Sequence, residues 1–99
     1  MTLEEAQKAV DRWISSHGGY FDTSVNLARL LEEAGELSHD LLRSSGQLKP
    51  ASGAPVRSAE FGDVLFVLCA LANQHNVSLS KSLEESLDKF AARDRSRHG

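Results

Sequence analysis

The sequence predicts an all-α fold, a four-helix subunit that forms a larger helical bundle through dimerisation. Three observations predict it. Apolar residues recur at three- and four-residue spacing in four successive segments. Clusters of glycine, proline, serine and asparagine separate those segments. No alternating strand pattern is long enough to build a sheet. With 99 residues, 40% of them apolar and 25% charged, the chain is one ordinary globular domain spanning residues 1–99. A core of this size is modest, so self-association is expected from the outset.

The first helix starts at Thr2, which with Glu5 reads as a capping box. Leu3, Ala6, Val10, Trp13 and Ile14 follow at helical spacing, and His17-Gly18-Gly19 ends the segment. Asp22 or Thr23 caps the second helix, which is expected to run to about Arg43. Its apolar set is Leu27, Leu30, Leu31, Ala34, Leu37, Leu41 and Leu42. Residues 44–56 hold both prolines of the chain and read as the one long loop. A third helix is expected from Ser58 to about His75, with Asn76 at its end. Ser78 or Ser80 caps a fourth, striped by Leu79, Leu83, Leu87 and Phe90. Residues 94–99 read as a polar, frayed tail.

The third helix has no polar face over its middle: residues 64–72 are apolar throughout. A helix apolar all round is expected to be buried all round. Three neighbours in so short a chain hardly cover it, and a second copy is the simplest cover.

Charge and composition exclude several partners. The net charge of −3 carries no basic excess for a nucleic-acid backbone. The longest apolar run falls far short of the ~20 residues of a membrane span. The acidic start has no apolar signal region, and the single Cys69 has no intramolecular disulfide partner. A reduced, cytoplasmic setting is expected, with no nucleic acid and no membrane.

The chemistry-bearing residues are acidic. Glu33, Glu36 and Asp40 lie within about 60° of each other on the second helix. Repulsion between them costs a few tenths of a kcal/mol per pair, and a solvated face is the bland explanation. On the third helix Glu60 and Asp63 head an apolar stripe of Val67, Ala70 and Leu71. The helix dipole accounts for Glu60. Asp63, about a turn further into a helix read as buried, needs a partner. Arg29, Arg43 and Arg57 are the nearest cations in sequence, and a bound divalent cation is the other solution.

Two carboxylate pairs at i and i+3, one on each helix, can converge on one point. All-oxygen ligation suits Mg²⁺ or Mn²⁺, which in an acidic protein would let a polyphosphate approach. The chemistry implied is metal-assisted hydrolysis of a phosphoanhydride. Glu36 and His39 form a Glu-x-x-His of the di-iron type, but Glu60 has Asp63 and not His at that spacing. There is no Cys/His cluster for zinc and no glycine-rich phosphate loop.

LLEEAGEL at 30–37 and EFGDVLFVLCALAN at 60–73 together resemble the EExxE…ExxD signature of the MazG-like nucleoside triphosphate pyrophosphohydrolases. That all-α superfamily also holds dimeric dUTPases and phosphoribosyl-ATP pyrophosphohydrolases. The segment VSLSKSLEESLDKFAARD looks like the family's final helix, so the resemblance runs from Leu27 to Arg93. It implies hydrolysis between the α- and β-phosphates, to a monophosphate and pyrophosphate, in nucleotide housecleaning. Glu33, Glu36, Glu60 and Asp63 match the family's Mg²⁺ ligands. Glu32 matches the residue that orients or deprotonates the attacking water. Lys89 and Arg93 match positions that meet substrate phosphates, and also suit a solvated helix end. Asn73 stands where relatives often carry an acid. Trp13 is either a platform for the base, with His17 or Asn26 donating hydrogen bonds, or first-helix core. The family's dimers, or dimers of dimers, agree with the over-apolar third helix. The competing class is a non-catalytic helical interaction module.

Overall fold

The computed structural model describes residues 1–46 and 55–98, and the described residues form four helices and no strand. α1 (Leu3–Ser16) begins at the expected capping box: Thr2 Oγ1 accepts from the Glu5 N–H, and Glu5 accepts from the Thr2 N–H. It closes on Gly18, whose φ of +103° lets the Gly19 N–H reach back to the Ile14 carbonyl. α2 (Thr23–Ser44) is capped by Asp22, which accepts from the Ser24 N–H. α3 (Ser58–Gln74) ends at Asn76, a non-glycine at φ +55°, with the Val77 N–H bonded to the Ala72 carbonyl. α4 (Leu79–His98) follows Ser78 and runs through the stretch expected as a tail. Residues 47–54 of the expected loop lie outside the described residues.

α3 is the hub. α2 packs along it most extensively, α1 packs on its other side, and α4 packs on α1. α2 and α3 run antiparallel, because Asp40 meets Arg57 at one end of the seam and Asn26 meets Gln74 at the other. Val67, Cys69, Ala70 and Ala72 of α3 are buried with Ile14 of α1. Burial pushes the Cys69 thiol pKa up, so it is an inert, protonated core group.

The ends of the helices are tied by side-chain amides. Gln7 Nε2 donates to Asn73 Oδ1 and to the Val77 carbonyl, and Gln7 Oε1 accepts from the Leu79 N–H. That one residue joins α1 to the end of α3 and the start of α4. Asn26 donates to Gln74 Oε1 at 2.9 Å, and Gln74 donates to the Phe21 carbonyl.

The expectation that α3 is buried all round is not met within one chain. Phe61, Leu65 and Leu68 remain exposed, and their i, i+4, i+7 spacing makes them one stripe. The leucine arc of α2 is likewise covered in part: Leu30 and Leu37 are half-buried, whereas Leu27, Leu31, Leu41 and Leu42 are exposed. Leu83, Leu87 and Phe90 form a third open stripe on α4. The physical reason is geometric: a single-layer arrangement gives each helix one or two neighbours, fewer than its apolar surface needs. The radius of gyration, 16.8 Å against about 13 Å for a compact chain of this length, reflects the same openness.

Candidate functional site

The α2–α3 seam brings the two acidic motifs together. Glu33 and Glu36, one turn apart on α2, and Glu60 in the first turn of α3 offer carboxylate oxygens within 4.8 Å of one another. Glu36 is exposed, Glu33 half-buried, and Glu60 only 6% exposed. Glu60 Oε1 accepts from Arg57 Nη2 at 2.5 Å. Its other oxygen, and Oε2 of Glu33, are buried with no hydrogen-bond partner among the described residues.

The electrostatics follow from that crowding. Burial foremost, then repulsion from Glu36, Asp63, Glu32 and Glu60, pushes the Glu33 carboxyl above its ordinary pKa. Glu32 and Asp63 therefore act on the cluster through their charge, although neither belongs to the tight set of three. The burial of the α3 acids is the reverse of the expectation: Glu60 is buried and Asp63 is exposed. Arg57 lies against Glu60 and covers it, whereas Asp63 has no such partner among the described residues.

A buried anionic oxygen without a partner is costly. Two such oxygens, from different helices and with a third carboxylate beside them, fit a hard divalent cation with room for further oxygen ligands.

Asp40 does not join the cluster. It is 4% exposed and accepts from the Arg57 backbone N–H at 2.9 Å and from Arg43 Nη2 at 2.5 Å. Arg57 Nε lies 3.7 Å from the same carboxylate. The Arg57 N–H foremost, with the two guanidiniums, holds the Asp40 carboxyl below its ordinary range. Asp40 thus satisfies the start of α3, which has no side-chain cap of its own. This role was missed from sequence; an arginine, Arg57, at the cap position of α3 and the Asp40–Arg43 spacing were the available signals.

Further along the same seam is a cleft of about 460 Å³, lined by Trp13, His17, Phe21, Asn26, Arg29 and Phe66 among others. Trp13 is 54% exposed and so is not simply core. Its ring stacks on His17 at 4.0 Å and meets the edge of Phe66 at 5.6 Å. Arg29 Cζ sits 5.6 Å from the Phe21 ring centroid. Arg29 precedes Glu33 by one turn of α2 and Phe66 follows Asp63 by one turn of α3, so the cleft adjoins the carboxylates. Phe21 and Phe66 were not singled out from sequence, since nothing local distinguishes them from packing residues, and Arg29 was noted only as a candidate partner for Asp63.

Other expected substrate residues lie apart from the carboxylates. Asn73 is four turns beyond Glu60, about 20 Å along α3. Its amide donates to the Gln7 carbonyl and to Tyr20 Oη, and accepts from Gln7 Nε2. Lys89 and Arg93 are exposed on α4, with Lys89 Nζ 5.5 Å from the Phe90 ring centroid. Among the described residues neither forms an ion pair with the carboxylate cluster.

Comparison with known proteins is consistent along nearly the whole chain. The family described as MazG nucleotide pyrophosphohydrolase domain matches residues 21–98. The uncharacterised protein YpjD of Bacillus subtilis (strain 168) is 37% identical over 99 residues, covering 97% of this chain and 89% of that protein. The crystal structure of YpjD from Bacillus subtilis, a pyrophosphatase candidate, superposes with a TM-score of 0.81 at 36% identity, over 91% of this chain and 95% of that one. A Bacillus-conserved MazG protein, a nucleotide pyrophosphohydrolase, superposes with a TM-score of 0.76 at 34% identity, over 91% of this chain and 90% of the other.

Proposed function

The chain belongs to the MazG nucleotide pyrophosphohydrolase family, and from that premise we propose that it hydrolyses nucleoside triphosphates between the α- and β-phosphates, releasing a nucleoside monophosphate and pyrophosphate, with Mg²⁺ or Mn²⁺ as cofactor. One observation carries the reading: two buried carboxylate oxygens, one on Glu33 and one on Glu60, have no hydrogen-bond partner among the described residues. The family supplies the reaction class, and the orphaned oxygens supply the reason for a cation.

Glu33, Glu36 and Glu60 would hold the cation, with Asp63 reaching in from its exposed side. When bound, the cation supplies charge neutralisation for the polyphosphate and acidifies coordinated water. The chain's own residues do the rest. Glu32, next to Glu33, takes the proton of the attacking water; among the described residues no partner ties it, so its carboxylate can turn toward that proton. The cleft beside the carboxylates takes the nucleoside, with the base against Trp13 and polar contacts from His17 or Asn26. Lys89 and Arg93 are the expected phosphate contacts on α4.

A second copy of the chain completes the fold in this reading. The open stripes on α2, α3 and α4 support it, since contiguous apolar surface of that extent marks an association surface. A dimer, or a dimer of dimers, buries them. Removal of unwanted nucleotides is the role proposed for so small a form, with nucleotides and not nucleic acids as partners. No described helix is long and apolar enough to cross a membrane.

The test is a screen of nucleoside triphosphates with Mg²⁺ that measures the inorganic product. Pyrophosphate with a monophosphate is the expected pair. Orthophosphate alone would overturn the bond assignment, and no turnover of any triphosphate would favour the interaction module.

A further inference from the structure

Glu60 is held, not simply placed. Its Oε1 accepts from the Arg57 guanidinium, which leaves Oε2 as the unpartnered buried oxygen. Arg57 is itself fixed at two points by Asp40, through its backbone N–H at 2.9 Å and through Nε at 3.7 Å. Arg43 donates to the same Asp40 carboxylate and so fixes it in turn. The chain of contacts runs Arg43, Asp40, Arg57, Glu60 across the α2–α3 seam. All of its members but Glu60 lie outside the tight carboxylate set.

We infer that Asp40 and Arg57 are positioning residues for the cation site: they hold Glu60 so that one oxygen is occupied and the other is presented to Glu33 and Glu36. A free carboxylate rotates, and offers either oxygen, or both, to a cation. One with an oxygen pinned by Nη2 of a guanidinium, the other prong of whose fork (Nε) faces Asp40, offers a single oxygen in a fixed direction. Outer partners of this kind orient ligands, and their loss costs roughly 10- to 100-fold in metal affinity or activity. The arrangement also explains why an arginine is tolerated beside a cation site. Simple Coulomb attraction would favour its absence, since a positive charge next to the cluster repels the metal. Arg57 has to contribute orientation that outweighs this repulsion.

The inference rests on the metal-site reading, and the opposition of sign makes it testable apart from that reading. Mn²⁺ alone, without nucleotide, is titrated into the unmodified protein and into Arg57→Gln, Arg57→Lys and Asp40→Asn, and its dissociation constant is measured by calorimetry. Arg57→Gln removes a positive charge, so a purely electrostatic role predicts tighter Mn²⁺. Positioning predicts binding weaker by about 10-fold or more. Arg57→Lys keeps the charge but loses the fork, and weakens binding too. Asp40→Asn acts through Arg57, so the Asp40→Asn/Arg57→Gln double variant is no weaker than the worse single one. Arg57 is 67% exposed in its side chain, so its replacement removes little packing and the Arg57 variants carry the test if Asp40→Asn does not fold. Unchanged or tighter Mn²⁺ binding in folded Arg57→Gln overturns the inference while leaving the metal site standing. No Mn²⁺ binding by the unmodified chain sinks the metal site and this inference with it.

Discussion

Glu33 on α2 and Glu60 on α3 meet across the helix seam, each with one carboxylate oxygen buried and without a hydrogen-bond partner among the described residues. Two like charges in that position oppose folding.

The first expected outcome concerns the cation. An ion that binds the folded site and not the unfolded chain adds about 2.7 kcal/mol at a hundredfold excess over its dissociation constant. Mg²⁺ or Mn²⁺ should therefore raise the melting temperature by several degrees. Glu33→Gln should raise the apo melting temperature and lose most of the metal-dependent rise. Asp63→Asn, at an exposed position, should leave the apo fold unchanged and reduce both the rise and turnover. Thermal scans with and without metal decide it: an apo Glu33→Gln that melts many degrees lower would make these acids structural partners.

The pH dependence has two limbs of opposite sign. The Glu33 pKa is raised by folding, so the native state binds the extra proton and stability falls as pH rises through that folded pKa. Lowering pH from neutral should stabilise the metal-free protein. The Asp40 pKa is lowered by its N–H and guanidinium partners. Its contribution is present above the ordinary Asp value of about 3.9 and is lost as pH falls through the folded value. Stability of the apo protein should therefore pass through a maximum on the acid side of neutral. Denaturant midpoints across pH would show it, and Glu33→Gln should flatten the alkaline side of that maximum.

Asn73 separates a structural from a substrate role. Its amide makes three hydrogen bonds that join α1, the α1–α2 turn and α3. Asn73→Ala leaves part-buried partners unsatisfied and should cost roughly 1–3 kcal/mol. The KM of the folded variant should be unchanged. A large KM increase with unchanged stability would return Asn73 to the substrate.

Trp13 is the single tryptophan of the chain, so its emission reports on the cleft directly. Binding of a nucleoside triphosphate should quench it. Trp13→Ala should raise KM by about 10- to 100-fold, as stacking is worth roughly 1–3 kcal/mol per base. Quenching that appears with tripolyphosphate alone would place the base elsewhere.

Assembly is best tested on the open stripe, not the core. Val67 is fully buried within one chain, and a charge there would unfold the subunit. Leu65→Glu, on the exposed stripe of α3, should instead lower the assembly state and leave the helical signal intact. Sedimentation of the unmodified chain as a stable monomer would sink the dimer.

Much of the fold was legible because the signals were local. The Thr2–Glu5 box, Gly18 and Asn76 act within a few residues of themselves, so sequence spacing alone places the helix ends. The carboxylates were legible for a similar reason: i and i+3 acids share a helix side whatever else the chain does. The cleft was legible in part: Trp13, His17 and Asn26 were grouped as a base pocket and do line one cleft. Its other walls were not, since Phe21, Arg29 and Phe66 come from three segments and have no shared spacing. Asp40 was misassigned to the acidic face because its helical angle lies within about 20° of that of Glu33, and no helix wheel shows which part of a seam lies under an arginine.

The sequence by itself determined four helices, their punctuation and the two acidic pairs, because backbone propensity and helical periodicity are properties of neighbouring residues. The tertiary structure alone decided the antiparallel seam between α2 and α3. From that seam came the burial of Glu60 in place of Asp63, the claim of Arg57 on one of its oxygens, and the cleft set beside it. The Arg57–Glu60 contact is local, three residues apart, but Asp40, seventeen residues away, fixes Arg57 for it; the other two depend on the distance between residues far apart in the chain, and that distance is set only when apolar faces choose their partners.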